Sequence, residues 1–538
     1  VEPRREKELK YAFLLIIIVA SAALAGWQSV MVPDVTTIDI EYFHNNGYDI
    51  EAVFGTKARL YVTPEQETAL QNMGYRTFAQ FVPVPLVPYP SITEVNASMS
   101  AVVAAHPDIA RMEQIGTSVQ GRQIYAVIVS DNVNQEEAEP EIRITGNIHG
   151  DEKCGGMTAL NFLEVLTDNY GTSDMCTYVV NNSELWIISV VNPDGYVSNN
   201  RYNANNIDLN RDFSYQNPSS YWQGPESRAI RDITMPEWPS QSNFTHPFAT
   251  GLSFHGGAEC VNTVWNYSAS ATIQDLEFIT AQANAYANHP AITAYYNPWD
   301  IWIPGADWYP TEGDVNDWSY GEVGTVDHTI ENSNDKSPAD WPGVASANYM
   351  PVLEFCITST YGVYGTVTGG GGTPLDALIE VEMVDGYDST PLRFCRNDVA
   401  DGGYSKALVP GTYNIVATVA GMGSQSQNNV TVGAGEMVPV NFIFGTGIEN
   451  SSSNGLFIRI SSSPNPVSAA CIISLPDTGV EGCLKIYDIS GRTVYERNIP
   501  AGVVSQMFNA GSVLPAGVYQ MRYTSNGLSA STRMVVAD

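Results

Sequence analysis

Glu141-Ile142-Arg143-Ile144-Thr145-Gly146-Asn147-Ile148-His149-Gly150-Asp151-Glu152 decides the fold: a strand pattern runs into a glycine-bounded loop, and a helical pattern from Met157 to Leu166 follows. In an open α/β sheet, sites form beyond the carboxyl ends of strands. His149 and Glu152 stand at such an end, three residues apart and able to chelate one ion. A third ligand comes from Gly251-Leu252-Ser253-Phe254-His255-Gly256-Gly257, where His255 again ends an apolar run and the glycines let backbone and substrate approach closely. His, Glu and a distant His, with the fourth position left to water, form the donor pattern of a catalytic zinc.

Around this stretch, residues 89–360 alternate helix and strand patterns. They predict an α/β fold with a mixed central β-sheet flanked by helices. The unbroken apolar run Leu185-Trp186-Ile187-Ile188-Ser189-Val190-Val191 suits a buried central strand. Upstream, the segment 32–86 combines alternating patterns at Thr37-Ile38-Asp39-Ile40 and Ala58-Arg59-Leu60-Tyr61-Val62 with a short helix around Glu65 to Asn72. It ends in Val82-Pro83-Val84-Pro85-Leu86-Val87-Pro88, a semi-rigid exposed boundary, and reads equally as a propeptide or as a permanently attached small domain. Downstream, 361–445 and 456–538 show short β segments between Gly and Pro turns. They predict two small all-β sandwich domains joined by a Ser/Asn/Gly linker from Gly447 to Gly455. Gly369 to Gly372 is not followed by Lys-Ser/Thr, so it is no phosphate loop.

The chain has 538 residues, 58 acidic and 25 basic, for a formal charge of −33. Such a charge repels nucleic acid and anionic membranes, so neither is expected as a partner. Arg4, Arg5, Lys7 and Lys10 precede an apolar run from Tyr11 to Ala25 that closes with Ala23-Leu24-Ala25, the order of a secretory signal peptide over residues 1–25. An uncleaved anchor is the alternative, but the run falls short of the roughly 20 residues of a spanning helix. Seven cysteines leave at least one unpaired; Cys471 and Cys483 are expected to face each other across a hairpin, and Cys154 is read as structural.

A further crowd of polar residues surrounds two arginines: Asn192-Pro193-Asp194-Gly195-Tyr196, then Arg201 and Asp208-Leu209-Asn210-Arg211-Asp212. Arginine grips a carboxylate through two parallel N–H bonds at any working pH. Together with Trp308-Tyr309, Asp317-Trp318-Ser319-Tyr320 and Glu331 in Thr329-Ile330-Glu331-Asn332, these motifs follow the order found in the zinc metallocarboxypeptidase family, which the central half of the chain resembles. The resemblance implies one Zn2+ per chain on His149, Glu152 and His255, with Glu331 as the general base for a zinc-activated water and Arg201 stabilising the oxyanion. It further implies that Asn210 and Arg211 hold the substrate's C-terminal carboxylate, that Tyr309 closes over it, and that Asn266 and Asn316 floor the specificity pocket.

Two departures matter. Asp212 follows the Asn-Arg pair and would put a carboxylate beside the arginine that must receive another. Neutral amides at Asn266 and Asn316 argue against a strong preference for Lys or Arg, although Glu312 and Asp314 stand near enough in sequence to supply charge from the rim. Tyr320 is read as packing in a strand-like Trp318-Ser319-Tyr320, and His44, His106, His246, His289 and His328 are expected to have no catalytic role.

Gly362-Val363-Tyr364-Gly365-Thr366-Val367 and Val409-Pro410-Gly411-Thr412-Tyr413-Asn414-Ile415 resemble the transthyretin-like domain of regulatory-type carboxypeptidases. Ser463-Pro464-Asn465-Pro466, Leu484-Lys485-Ile486-Tyr487-Asp488 and Leu514-Pro515-Ala516-Gly517-Val518-Tyr519 are similar to the C-terminal sorting domains of type IX secretion cargo. The resulting expectation is a secreted or outer-surface carboxypeptidase acting on peptide or protein C-termini. Its partner would be the type IX secretion machinery, and it would keep no stable membrane insertion after processing. A peptidoglycan or γ-glutamyl peptidase with the same zinc centre, and a catalytically silent surface-binding protein, are the alternatives.

Overall fold

A computed structural model describes residues 28–79, 85–217, 220–296, 302–384, 391–445, 461–463, 471–475, 480–488, 492–503, 505–525 and 528–537. The signal-peptide reading of 1–25, the linker Gly447 to Gly455, and parts of two quoted motifs (Val82 to Val84, Pro464 to Pro466) lie outside the described residues. The chain divides into two compact units, 1–415 with 427–443 and 416–426 with 444–538.

The first unit opens with β1 (Gln28–Pro33), α1 (Thr37–Asn45), β2 (Asp49–Phe54), β3 (Lys57–Val62), α2 (Pro64–Asn72) and β4 (Phe78–Ala79), whose strands form a sheet in the order β2-β3-β1-β4. The expected alternating strand at Thr37-Ile38-Asp39-Ile40 is instead the first turn of α1. Thr36 accepts from the Asp39 amide and the Asp39 carboxylate accepts from the Thr36 amide, a capping box that starts a helix and outweighs four residues of alternation.

The central region contributes α3 (Ile92–Ala105), β5 (Ala110–Thr117), β6 (Gln123–Val129), β7 (Glu141–Gly146), α4 (Lys153–Asp168), α5 (Asp174–Asn182), β8 (Glu184–Ile188), α6 (Pro225–Thr234), β9 (Thr250–His255), β10 (Ala258–Thr263), α7 (Leu276–Ala287), β11 (Ile303–Pro304), β12 (Val326–Ser333) and α8 (Trp341–Thr360). Its strands form one mixed eight-stranded sheet, β11-β10-β12-β9-β7-β8-β6-β5. Neighbours β12, β9, β7 and β8 run parallel, and antiparallel strands β10 and β6 flank them. Both faces are covered, so successive side chains enter opposite cores. Leu185 and Ile187 of β8 pack with Leu163, Leu166 and Val352 on one side, while Trp186 and Ile188 pack with Phe213, Ile230 and Trp318 on the other. The expected strand at Trp318-Ser319-Tyr320 is helical, a turn over Val315–Trp318 continuing into a wider one over Ser319–Val323. Asp314 caps it by accepting from the Asp317 amide. Tyr320 is fully buried against Trp265 with its hydroxyl donating to Asp275, which is packing.

After Thr360 the chain is β-rich: Gly362–Gly369 pairs antiparallel with Gly403–Ala407 and parallel with Met437–Pro439. In the second unit a three-stranded sheet (Ser461–Ser463, Cys471–Ser474, Ser505–Phe508) and a four-stranded one (Gly482–Tyr487, Thr493–Ile499, Gly517–Ser525, Leu528–Val536) share a core of Ile473, Leu484, Ile486, Phe508, Met521 and Met534. Cys471 and Cys483 do not pair. They belong to different sheets, Cys471 points into that core, and Cys483 alternates out of it beside Glu496.

Candidate active site

Three adjacent parallel strands bring the candidate ligands to one end of the sheet: His149 follows β7, His255 ends β9, and Glu331 lies on β12 directly opposite His255. The ligand loop turns sharply because Asn147 adopts left-handed backbone (φ 56°), and its side-chain amide bonds the carbonyls of His149 (2.9 Å) and Gly150 (3.3 Å). A side chain at Gly146 would come within 2.7 Å of the Gly155 and Gly156 backbone, so only glycine lets α4 start against the strand end. Glu152 occupies the N-cap position of α4 but makes no capping bond. Its carboxylate turns to the histidines instead.

Three donors converge. His149 Nδ1 lies 2.9 Å from Glu152 Oε1, His255 Nδ1 lies 3.0 Å from Glu152 Oε2, and the two Nδ1 atoms are 3.2 Å apart. These separations match the spacing of about 3.3 Å between ligands that bond zinc at about 2.0–2.1 Å in a tetrahedron. All three side chains are buried, and His255 Nε2 meets no hydrogen-bond partner. Two imidazole nitrogens and a carboxylate facing one another away from water fit a dication of borderline softness. His149 Nε2 is held at 3.1 Å by Asp208 Oδ1, a carboxylate placed as one that orients a histidine ring toward a metal would be. Burial and Arg201 depress His149, yet Glu152 and Asp208 outweigh them and raise it to about 9.

Glu331 is buried at the same cavity. Desolvation first, and then the Glu152 carboxylate, push it up to about 8. Arg201 bonds Asp208 (3.0 Å), Asp49 (2.9 Å) and Glu152 (3.4 Å). The cavity, about 450 Å3, is lined by all three donors, Glu331, Arg201, Asn210, Arg211, Tyr309 and Asn266, so nine of the ten residues singled out in the sequence meet there. Asn316, expected at the floor, sits one layer behind: its amide donates to Thr329 Oγ1 (2.9 Å), and Thr329 forms the wall. Asp314, expected at the rim, is a buried wall residue that accepts from Asn266 Nδ2 (3.1 Å) and Thr311 Oγ1 (3.1 Å), while Glu312 is exposed.

Asp212 does not face Arg211. Its carboxylate accepts from the amides of Gln223 and Gly224 and from Ser227 Oγ, where α6 begins, so the expected competition for the substrate carboxylate is absent. Sequence reasoning missed Asp208, although it stood in a quoted motif, and missed Asp49 and Glu51, which arrive from the N-terminal segment with no local signal.

Residues 95–351 match the zinc carboxypeptidase model and residues 463–537 the secretion system C-terminal sorting domain. Carboxypeptidase SOL1 of Arabidopsis thaliana is 30% identical over 407 residues, 71% of this chain and 78% of its own length. Carboxypeptidase D of Homo sapiens is 31% identical over 370 residues, 63% of this chain but 25% of its own, so the chain spans about a quarter of that relative. The crystal structure of the carboxypeptidase A from Helicoverpa armigera superposes with a TM-score of 0.51 at 17% identity, covering 62% of this chain and 97% of that one, a likeness of fold. The chain belongs to the zinc carboxypeptidase family, and its C-terminal part is a secretion sorting domain.

Proposed function

We propose that this protein is an exported zinc metallocarboxypeptidase that hydrolyses the C-terminal peptide bond of peptides or proteins. The observation that carries the reading is the meeting, in one cavity, of three donors able to hold a metal ion, a buried glutamate and an arginine whose sequence neighbour Asp212 turns its carboxylate elsewhere. His149, Glu152 and His255 would hold one zinc ion, which when bound acts as a Lewis acid on water and on a carbonyl oxygen. Glu331 takes a proton from the attacking water and returns it to the leaving amine; burial keeps its basicity near the range such shuttling needs. Arg201 donates to the carbonyl oxygen as charge grows on it. Arg211 and Asn210 receive the terminal carboxylate, which restricts cleavage to the last residue, and Tyr309 covers it. Asp314 behind Asn266 gives the pocket an acidic wall.

The sorting domain supports export through the type IX machinery, with a leader over 1–25, to the medium or outer surface. Among the described residues no helix is long and apolar enough to cross a membrane. The transthyretin-like reading of 361–445 belongs to the same proposal, as a structural module of regulatory-type carboxypeptidases.

The test is a panel of peptides varied at the C-terminus, with and without chelator, alongside Glu331→Gln. Stepwise release of C-terminal residues that requires metal and falls roughly 100- to 10,000-fold in the variant is expected. Cleavage only of substrates lacking a free α-carboxylate would favour the cell-wall or γ-glutamyl alternative, and zinc binding without any hydrolysis would favour the silent binder.

A further inference from the structure

The carbonyls that close the last turn of a helix need donors from elsewhere. In the helical run over 315–323, two of them are taken by a side chain from outside the catalytic region. Arg393, of the β-rich region after Thr360, donates through Nε to the Tyr320 carbonyl (2.9 Å) and through Nη2 to the Gly321 carbonyl. Its guanidinium also lies 5.6 Å from the centre of the Tyr320 ring and 5.7 Å from that of Trp265, two rings that are themselves 4.8 Å apart. The same region sends in Lys406, whose Nζ is 3.0 Å from the buried Asp275 carboxylate to which Tyr320 Oη donates.

These contacts end on the outer face of the cavity's wall. Trp265 precedes Asn266 of the lining, and the backbone of this pair is a junction. The Trp265 carbonyl accepts from the Ala306 amide (2.8 Å) and the Asn266 carbonyl from the Thr311 amide (2.8 Å), so the segment 306–311, with Tyr309 in it, is tied to the pair at both ends. Glycine at 305 permits the approach, because a side chain there would stand 1.9 Å from the Trp265 carbonyl oxygen. From the other side, the Asp317 carboxylate accepts from the amides of Asn266 (2.9 Å) and Tyr267 (2.9 Å). Asp314 Oδ1 accepts from Asn266 Nδ2 (3.1 Å) and from the Asp317 amide (3.0 Å). The cavity-lining Asn266, Thr311 and Asp314 are thus set by one frame, and the Trp265–Tyr320 pair that Arg393 grips is its back.

We propose that Arg393 is a positioning residue for the pocket that receives the substrate's last side chain. Through it the β-rich region sets which C-terminal residues are accepted, without touching them. The inference rests on the carboxypeptidase reading above for what the pocket receives. Arginine suits the role because one planar fork spans two carbonyls while covering two rings; lysine supplies the charge but not the span.

The experiment uses the zinc-loaded full chain and the variants Arg393→Met and Arg393→Lys. It reads kcat and KM for peptides ending in lysine, glutamine or leucine, Kd for the same peptides with the last amide reduced to a methylene-amine, and amide exchange at Ala306 and Thr311. Both variants are expected to speed exchange at those two amides and to raise KM and Kd roughly tenfold for the preferred peptide, with kcat changed less than about threefold. The differences among the peptides should narrow. Arg393→Lys keeps the charge and serves if Arg393→Met does not fold. Unchanged KM and Kd, with any fall in kcat following the fraction of folded chain, would overturn the inference and leave Arg393 a stabilising residue only. Unchanged exchange at Ala306 and Thr311 would overturn it too, because the frame would not depend on Arg393. A weakened Kd with faster exchange, and no hydrolysis by any form, would uphold the positioning and refute the hydrolytic reading alone.

Discussion

Asp212 and Arg211 are neighbours in sequence with opposite fates in the fold. The Asp212 carboxylate fills its acceptor sites with two amides and the Ser227 hydroxyl at the start of α6. Asp212→Asn puts an N–H where one of those donors points, at a cost of about 1–3 kcal/mol. A lower urea midpoint with an unchanged KM for a C-terminal peptide is expected; an increased KM at unchanged stability would return Asp212 to the substrate clamp. Arg211→Lys removes the bidentate fork and is expected to raise KM roughly tenfold or more, with kcat less affected. At this scale most of the cavity's lining was legible, because the three candidate donors are written in residue types at or just past strand ends and the two arginines stand in a polar motif of their own. What was not legible is direction. Nothing in Asn210-Arg211-Asp212 says that the third side chain turns away, and nothing in Asn266 or Asn316 says that only the first reaches the cavity, with Asp314 beside it in the wall.

Elements place these side chains, and the three parallel strands β7, β9 and β12 do most of it. They are bolted below the site by a buried ion pair that crosses the middle strand. Arg143 of β7 and Asp327 of β12 both lie opposite Gly251 of β9, with Arg143 Nη2 2.5 Å from Asp327 Oδ2 and donating to Ser319 Oγ (2.7 Å). A side chain at Gly251 would meet Asp327 Oδ1 at 2.9 Å, so glycine leaves the space that the pair fills. Removing one partner strands a buried charge. Arg143→Met alone and Asp327→Asn alone are each expected to cost about 3–5 kcal/mol in urea unfolding, with Arg143→Met/Asp327→Leu recovering much of it. Single losses below about 1 kcal/mol would mean that the pair does not hold the strands. The strands themselves were legible as apolar runs ending in glycine and histidine. Two short elements were not. Thr37 to Ile40 alternates like a strand, but its capping box makes a helix, and Trp318 to Tyr320 is aromatic enough for a strand yet continues a turn capped by Asp314. In both, a local hydrogen bond to a carboxylate outweighs the hydrophobic pattern.

For the molecule as a whole, an excess of 33 negative charges makes carboxylates share space, and the densest sharing is away from the catalytic site. His246 Nδ1 lies 2.9 Å from Glu141, 3.9 Å from Glu184 and 3.8 Å from Asp398, with the Trp186 ring against it. Glu136, Glu139 and Asp401 line the same cleft, between the sheet's lower end and the β-rich region after Thr360. Burial alone would depress His246, but Glu141, Asp398 and Glu136 outweigh it and raise it to about 10. Its stabilisation is therefore complete below its unfolded value of 6.5 and is lost as pH rises through about 10. Glu139 adds to the same slope. Burial raises it from 4.5 to about 8, so the folded chain keeps a proton that the unfolded chain sheds, and stability falls as pH rises across that interval. Calorimetry of the full chain is thus expected to show the transition of the first unit moving down by several degrees from pH 6.5 to 10, at about 2–4 °C per kcal/mol. His246→Gln should melt lower than the parent at pH 6.5, where it leaves Glu141 without its cation, and the two should converge as pH approaches 10. Glu139→Gln should instead gain on the parent between pH 5 and 8. A gap between parent and His246→Gln that is constant across the range would show that His246 carries no charge in the folded protein, and the alkaline loss would then belong to net charge spread over the surface.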